Sequence, residues 1–126
     1  MEINIPEVVA EVEAAFRCYE IALGENDIAT LEALFWDSPR TIRYGLAENL
    51  HGIDEIRAFR RARSPVGLSR RLEHVTITTF GRDFATASAL FRRESTPGKI
   101  GRQMQSWVRT PAGWRVVAAH VSAIDG

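Results

Sequence analysis

The spacing of apolar residues changes near residue 70, and this change limits the folds available to the chain. In the first 63 residues, apolar side chains recur mainly every three or four positions, the period of an amphipathic helix. From residue 70 onward they alternate with polar side chains, the period of a half-buried β-strand. Helices followed by consecutive strands are typical of an α+β domain, in which the helices cover one face of an antiparallel sheet.

Three helices are predicted in the first half of the chain. The first is capped by Asn4 and ends at Gly24, a residue that readily terminates helices. The second covers about residues 27–35, and the third about residues 53–63. A short strand is expected at residues 41–45, between the second and third helices.

Four longer strands follow, with the sequences RRLEHVTITTF, DFATASALFRRE, KIGRQMQSWVRT and GWRVVAAHVS. They are separated by the short turn sequences GRD, STPG and PAG. Connections this short make neighbouring strands antiparallel. We therefore expect three N-terminal helices packed on a curved antiparallel sheet, a cone-shaped α+β fold with an interior cavity.

The bulk composition restricts size, location and partners. A chain of 126 residues is expected to form a single domain over residues 1–126. No apolar run approaches the roughly 18–20 residues that span a bilayer. The acidic N-terminus is unlike a signal peptide, so we expect a cytoplasmic protein without a membrane partner.

Charge is unevenly distributed along the chain although the net charge is zero. Residues 1–55 carry 12 acidic and 3 basic side chains, and residues 56–126 carry 4 acidic and 13 basic ones. A compact fold sets these charges against each other, so we expect no nucleic-acid partner, which would need an uncompensated basic surface. Fifteen of the sixteen basic residues are arginine, whose planar guanidinium binds carboxylates through two hydrogen bonds.

The last two strands carry polar side chains that a purely structural hairpin does not need. Gln103, Gln105 and Trp107 share one face of their strand, because side chains alternate along it. A two-residue Pro-Ala loop places His120 opposite Gln103 on that face. A three-residue loop ending in a left-handed Gly113 places it opposite Met104 instead. The sequence leaves this register open.

The remaining candidate residues come from the first short strand and the third helix. Arg60 and Arg63 continue the apolar stripe of the helix, which favours an inward position. Their alternative role is to stabilise the helix C-terminus or to pair with the acidic first helix. Arg43 and Tyr44 alternate, so only one faces the pocket, and Tyr44 is our preferred choice. His120 is either a proton carrier or a hydrogen-bonded core histidine.

No metal or cofactor is expected. The three histidines are scattered and lack ligand spacing. The chain has no phosphate-binding loop, dinucleotide fingerprint or nucleophile elbow.

Three segments, FWDSPRTIRYGLAENLHGIDEIRAFRRAR, TTFGRDFATA and GRQMQSWVRTPAGWRVVAAHVS, closely resemble the AtzH-like family. This family includes the oxalurate-catabolism protein HpxZ and lies within the nuclear transport factor 2-like superfamily of cone-shaped domains. The resemblance implies a pocket between helices and sheet, a homodimer formed through the sheet, and bacterial catabolism of small ureide-type carboxylates. The hairpin also resembles the association domain of calcium/calmodulin-dependent kinase, but two of that domain's pocket arginines correspond here to Phe91 and Gln105.

Two functional hypotheses follow. In the first, the protein is an amide hydrolase or decarboxylase acting on a small anionic ureide, with His120 or Tyr44 handling a proton. The carboxylate and the urea group of this ureide would then be bound by Arg43, Arg60, Arg63, Gln103, Gln105 and Trp107. In the second, it is a non-catalytic binding module or accessory subunit of a neighbouring amidase. The absence of an obvious nucleophile and base pair favours the second.

Overall fold

The structure is a computed structural model that describes residues 1–126. Its elements, in chain order, are α1 (Pro6–Glu25), α2 (Ile28–Leu34), β1 (Ile42–Tyr44), β2 (Asn49–His51), α3 (Ile53–Ala62), β3 (Arg71–Phe80), β4 (Phe84–Arg92), β5 (Lys99–Thr110) and β6 (Gly113–Asp125). The predicted order of three helices and then a sheet is confirmed. None of the helices combines the length and apolar character needed to cross a membrane.

The six strands form one sheet in the order β2-β1-β6-β5-β4-β3. The pairs β3–β4, β4–β5 and β5–β6 are antiparallel, as predicted. The two short strands β1 and β2 also pair antiparallel, but β1 runs parallel to β6. The sheet is therefore mixed rather than wholly antiparallel. The turn lengths could not indicate the parallel pairing, because β1 and β6 are far apart in the sequence and no hairpin connects them.

Both ends of α1 differ from the sequence prediction. Asn4 does not cap the helix: its Oδ1 accepts a hydrogen bond from the Thr79 N–H at 2.9 Å, and its own N–H donates to the Thr79 carbonyl at 3.0 Å. Asn4 therefore joins the N-terminus to β3. The helix also passes Gly24 and ends at Glu25, where Asn26 adopts the left-handed conformation with φ of 52°.

The core lies between α1 and one face of the sheet, which we call the inner face. Val8, Val12 and Phe16 of α1 are buried with Ala85 and Ala87 of β4 in a single apolar cluster. The small alanine side chains leave room on the inner face for the larger side chains of the helix. Each large apolar side chain buried in this way contributes roughly 1.5–3 kcal/mol to stability.

The register of the last hairpin combines features of the two alternatives. Thr110 pairs with Gly113, so the loop contains two residues. Ser106 then pairs with Ala118 and Trp107 with Val116, which leaves Val117 as the extra residue of a β-bulge. The bulge shifts the register by one position and sets His120 opposite Met104. We call this side of the sheet, which carries Met104 and His120, the outer face.

Candidate functional site

A cavity of about 120 Å³ lies between α1, α3 and the inner face of the sheet. Its polar lining is dominated by five arginines, Arg43, Arg60, Arg63, Arg70 and Arg93. Such a concentration of guanidiniums around one small, partly open cavity is costly unless something negative compensates it. The cavity is therefore the candidate functional site.

Different elements bring these arginines together. Arg43 is the central residue of β1, and Arg60 lies on the buried side of α3. Arg63 directly follows α3, where the backbone becomes extended with ψ of 136°. Arg70 and Arg93 flank the β3–β4 hairpin, one just before β3 and the other just after β4. The sheet and the third helix thus converge on one positive region.

Two of the five arginines have carboxylate partners. The Arg43 Nη1 lies 2.7 Å from Oε1 of Glu48, which follows the turn after β1. Arg70 donates from Nε to Oε1 of Glu20 at 2.9 Å, and its Nη2 donates to the second oxygen of that carboxylate. The Nη2 of Arg70 also donates to Oε1 of Gln103 at 2.8 Å. These contacts fix the two guanidiniums and cancel most of their charge.

The other three arginines have no carboxylate within ion-pair distance. Arg60, Arg63 and Arg93 form no ion pair in the structure. Arg60 is nevertheless buried, with only 2% of the residue exposed. The cavity therefore carries a surplus of positive charge.

Several buried donors around the cavity also lack a protein acceptor. They are the Nε groups of Arg43, Arg60 and Arg93 and the Nε2 amide of Gln103. A buried donor without an acceptor costs about 1–3 kcal/mol. Both the surplus charge and these free donors match a ligand that is an anion and a hydrogen-bond acceptor.

The electrostatic environment lowers the pKa values of the unpaired arginines. Burial, followed by the positive charge of Arg60, lowers the pKa of Arg63 to about 10. Burial also lowers the pKa values of Arg60 and Arg93, with repulsion from neighbouring arginines adding to the effect. With a pKa of about 10, Arg63 keeps its proton at neutral pH and contributes positive charge to the cavity.

Tyr19 places the only phenolic hydroxyl in the cavity lining. Its oxygen accepts a hydrogen bond from the Arg60 Nη2 at 2.9 Å, which leaves the hydroxyl proton available to a ligand. The ring is fixed by edge-on contacts with Phe35 and Trp107, at centroid distances of 6.0 and 6.5 Å. Tyr19 is thus a fixed proton donor facing the same space as the guanidiniums.

The structure brings together four of the eight residues predicted for the site. Arg43, Arg60, Arg63 and Gln103 all line the cavity. Gln105 and Trp107 share the inner face with Gln103 but lie in the adjacent packed interior, outside the cavity lining. There the Trp107 Nε1 donates to the Gln105 Oε1 at 3.1 Å, so these two residues satisfy each other in part.

Tyr44 and His120 lie outside the cavity, which corrects their predicted placement. The preference for Tyr44 over Arg43 was wrong: alternation along β1 buries Arg43 at 5% exposure and leaves Tyr44 at 36%. Tyr44 pairs with His120 in the parallel β1–β6 ladder, and both are exposed on the outer face. Their rings meet edge-on, and the Tyr44 hydroxyl lies 3.1 Å from Nε2 of His51.

Sequence reasoning missed Tyr19, Arg70 and Arg93. Tyr19 falls on the apolar stripe of α1, so its pattern resembles that of any core residue. Arg93 did leave a signal, since it is in phase with the buried positions from Ala85 to Phe91 of β4. Arg70 opens the predicted strand RRLEHVTITTF but precedes the first residue of β3, and a register shift between Glu73 and Thr76 interrupts the alternation that would indicate its direction.

Three helices over a mixed six-stranded sheet, with a charged cavity between them, define a protein of the nuclear transport factor 2-like class, whose fold is also described as cystatin-like. A solved structure of this superfamily from Salmonella enterica has a TM-score of 0.74, covering 95% of this chain and 93% of that chain. Its sequence identity is 23%, so this likeness shows the fold alone.

The chain belongs to the AtzH-like family, whose sequence profile matches residues 1–126. A protein of unknown function from Pectobacterium atrosepticum, assigned to the DUF3225 family, is 55% identical, with a TM-score of 0.95 over 98% of this chain and 95% of that chain. A cystatin-like fold protein from Burkholderia xenovorans is 54% identical, with a TM-score of 0.96 over 100% and 98% of the two chains. A search of curated proteins gave no match.

Proposed function

We propose that the cavity binds a small carboxylate that also carries a urea or amide group, such as oxalurate, allophanate or carboxylated biuret. The observation that carries this proposal is the presence of three arginines without carboxylate partners around one small cavity. A carboxylate supplies both the missing negative charge and acceptors for the free guanidinium N–H groups.

The size of the cavity supports a small ligand. A dry cavity of about 150 Å³ accommodates one benzene molecule. At about 120 Å³, this cavity suits a compact molecule with no bulky side chain. Ureide carboxylates fit within this volume, whereas a nucleotide could place only a small part of itself there.

The amide side of the ligand has a counterpart in Gln103. Its Oε1 is occupied by Arg70, and its Nε2 donor is buried without an acceptor. A urea or amide carbonyl provides that acceptor. The combination of guanidiniums and one free amide donor therefore favours a carboxylate with a neighbouring carbonyl over a simple fatty acid.

Isothermal titration calorimetry with the purified protein tests the binding proposal. We expect oxalurate and allophanate to bind with a favourable enthalpy and to raise the melting temperature. The uncharged analogues biuret and oxamide, which keep the amide groups, should bind at least tenfold more weakly. Equal binding of the charged and uncharged compounds would contradict the proposal, as would the absence of any binding.

We further propose that a ligand bound in this cavity is converted, with Tyr19 rather than His120 supplying the proton. The observation that favours catalysis is the Tyr19 hydroxyl, which lines the cavity, accepts from Arg60 and keeps its own proton free to donate. Loss of carbon dioxide from an N-carboxylate breaks a C–N bond and leaves the electron pair on nitrogen, which must gain a proton. Hydrolysis of a urea adds water to the carbonyl carbon and expels an amine nitrogen that must also gain a proton. In both cases Tyr19 regains its own proton from solvent. The arginines would stabilise the negative charge that develops before this transfer.

Turnover by the Tyr19→Phe variant tests the catalytic role separately from binding. This variant keeps the ring packing and removes only the hydroxyl. We expect wild type to consume at least one of the three ureides and Tyr19→Phe to bind it with turnover reduced at least 100-fold. If wild type binds the ligand without turnover, the protein is instead a binding module, and assays with an added amidase test an accessory role.

We also propose that a second copy of this chain covers the outer face of the sheet. No helix packs on this face, where Met104 is 56% exposed beside a groove of about 650 Å³ that is also lined by Leu90 and His120. A Met104→Asp substitution should convert the dimer to a monomer in sedimentation experiments. A wild-type mass near 14.1 kDa at micromolar concentration would contradict the dimer.

A further inference from the structure

The guanidiniums of four of the five cavity arginines lie over the rings of two phenylalanines. The guanidinium carbons of Arg43 and Arg63 lie 5.2 and 5.7 Å from the centroid of the Phe59 ring. Those of Arg70 and Arg93 lie 4.4 and 5.0 Å from the centroid of the Phe91 ring. Cations within about 6 Å of an aromatic face are attracted to it electrostatically.

The two rings share the same division of roles. Each holds one arginine that has a carboxylate partner, Arg43 or Arg70, and one that has none, Arg63 or Arg93. A carboxylate orients a guanidinium but also cancels its charge. An aromatic face orients the guanidinium and leaves its charge and its N–H groups available.

The position of the Phe91 ring depends on a glycine in the neighbouring strand. Phe91 pairs with Gly101 across β4 and β5. A Cβ atom on Gly101 would lie only 2.1 Å from Cζ of Phe91, so the ring covers the space that a side chain would fill. Any larger residue at position 101 would displace the ring and the guanidiniums that lie on it.

Arg70 and Arg93 also border a second, wider pocket of about 710 Å³ that includes Ser69 and Ser95. Both arginines therefore stand between this outer pocket and the inner cavity. Phe91 lines neither space and is 5% exposed, so it does not contact a ligand in either of them. Its effect on binding must act through the two arginines.

We propose that Phe91 is a positioning residue for anion selection: its ring, lying over Gly101, holds Arg93 at the boundary of the cavity with its charge unneutralised. Phe59 does the same for Arg63 from within the cavity lining. This inference rests on the proposed binding of a small carboxylate, and it identifies the residues that make such binding selective.

Calorimetric titration with oxalurate tests the role of Phe91. Phe91→Leu, which removes the aromatic face but keeps an apolar side chain, should weaken binding about fivefold to tenfold, the usual size of a partly desolvated cation–π contact. Phe91→Tyr, which keeps the face, should bind within twofold of wild type. Phe80→Leu is the matched control, because the Phe80 ring pairs with Phe84 and carries no guanidinium.

A double-mutant cycle separates positioning from general packing. Arg93→Met should weaken oxalurate binding about as much as Phe91→Leu does. Adding Phe91→Leu to Arg93→Met should then weaken it less than twofold further, since the ring no longer has the unpaired arginine to hold. If Phe91→Leu fails to fold, Phe91→Met provides the same test with a more flexible side chain.

The outcomes distinguish this inference from the function on which it rests. If wild type does not bind oxalurate or any other ureide carboxylate, the proposed function fails. If wild type binds and Phe91→Leu binds equally well, the positioning role fails while the proposed function stands. Equal loss of affinity in Phe91→Leu and Phe80→Leu would also overturn the positioning role, because the effect would then reflect stability alone.

Discussion

Both faces of the last hairpin carry polar side chains, but those on the inner face are buried and those on the outer face are exposed to solvent. On the inner face, Gln103 is 2% exposed and its Nε2 has no protein acceptor. On the outer face, His120 is exposed to solvent and needs no such partner. A polar side chain therefore indicates a binding site only where burial leaves its hydrogen bonds unmet, and one hairpin can carry both situations on its two faces.

The arginines show the same difference between the two faces. Arg102 on the outer face of β5 donates to the Ser122 hydroxyl at 3.1 Å and is exposed to water. Arg60, enclosed by the inner face, donates to the Tyr19 hydroxyl and has no carboxylate partner. A guanidinium on the outer face therefore costs little folding free energy, whereas one buried at the inner face costs more. An anionic ligand gains most binding free energy at the buried guanidinium, because it supplies the missing partner.

Replacement of Arg60 should give the largest change in ligand affinity. We expect Arg60→Met to weaken oxalurate binding about 10- to 100-fold, the effect of losing a charged hydrogen-bond partner. The same variant should raise the melting temperature of the ligand-free protein, because an uncompensated buried charge is removed. Calorimetry and thermal melts measure the two effects, and Arg102→Met is the control that should change neither. Equal effects of both substitutions would erase the distinction between the two faces.

Removal of the Glu48 carboxylate should change stability and affinity in opposite directions. Breaking a fully buried ion pair costs about 3–5 kcal/mol; we expect about 2–3 kcal/mol for Glu48→Gln, because the Glu48 side chain is 22% exposed. The unpaired Arg43 should at the same time tighten oxalurate binding. Asp125→Asn, which breaks an exposed pair with Lys99, should leave both unchanged. Weaker anion binding by Glu48→Gln would contradict the charge argument.

The affinity for carboxylates should fall above about pH 10. The pKa of Arg63 is lowered to about 10, so this guanidinium begins to lose its proton there and its attraction for an anion declines. The ligand-free protein should show the opposite trend: between about pH 10 and the ordinary arginine pKa of 12.5, the unfolded state binds more protons, so this group adds stability as pH rises. Calorimetry from pH 7 to 10.5 measures the affinity. A constant affinity across this range would count against Arg63 as a ligand contact.

Changes on the outer face should have the smallest effect on ligand binding. Tyr44→Phe and His120→Ala remove the two groups first expected to carry protons, yet both lie outside the cavity. We expect each variant to bind oxalurate within twofold of wild type and to retain turnover. A tenfold loss of affinity in either variant would place the outer face in the functional site, and the two faces would no longer differ in function.

The fold was predictable because periodicity reports burial directly. The helical stripe of α1 and the alternation in β4 both reflect contact with the same core, and both elements lie where the sequence indicates. The helix ends were less predictable: Asn4 has a side chain suited to capping, but its hydrogen bonds go to Thr79, a partner 75 residues away. Local preference was overridden by a long-range contact.

The site was predictable only in part, because it depends on register and on loops. Arg60 and Arg63 followed from helical spacing, since a helix face is fixed by its own sequence. His120 did not, since its side of the sheet depends on whether the hairpin contains a bulge, and Val117 differs little from a regular strand residue. Arg70 lies just before β3, and the irregular pairing between Glu73 and Thr76 breaks the alternation that would have indicated its direction.

The extra residue at Val117 has a consequence for how relatives of this chain could diverge. A regular hairpin of the same length would pair residue 120 with residue 103 and turn the imidazole toward the arginine-lined space without any amino-acid substitution. Deletion of Val117 would instead keep His120 opposite Met104, because the pairs on both sides of the bulge are already in register with each other. The way this hairpin accommodates one residue is itself a determinant of chemistry.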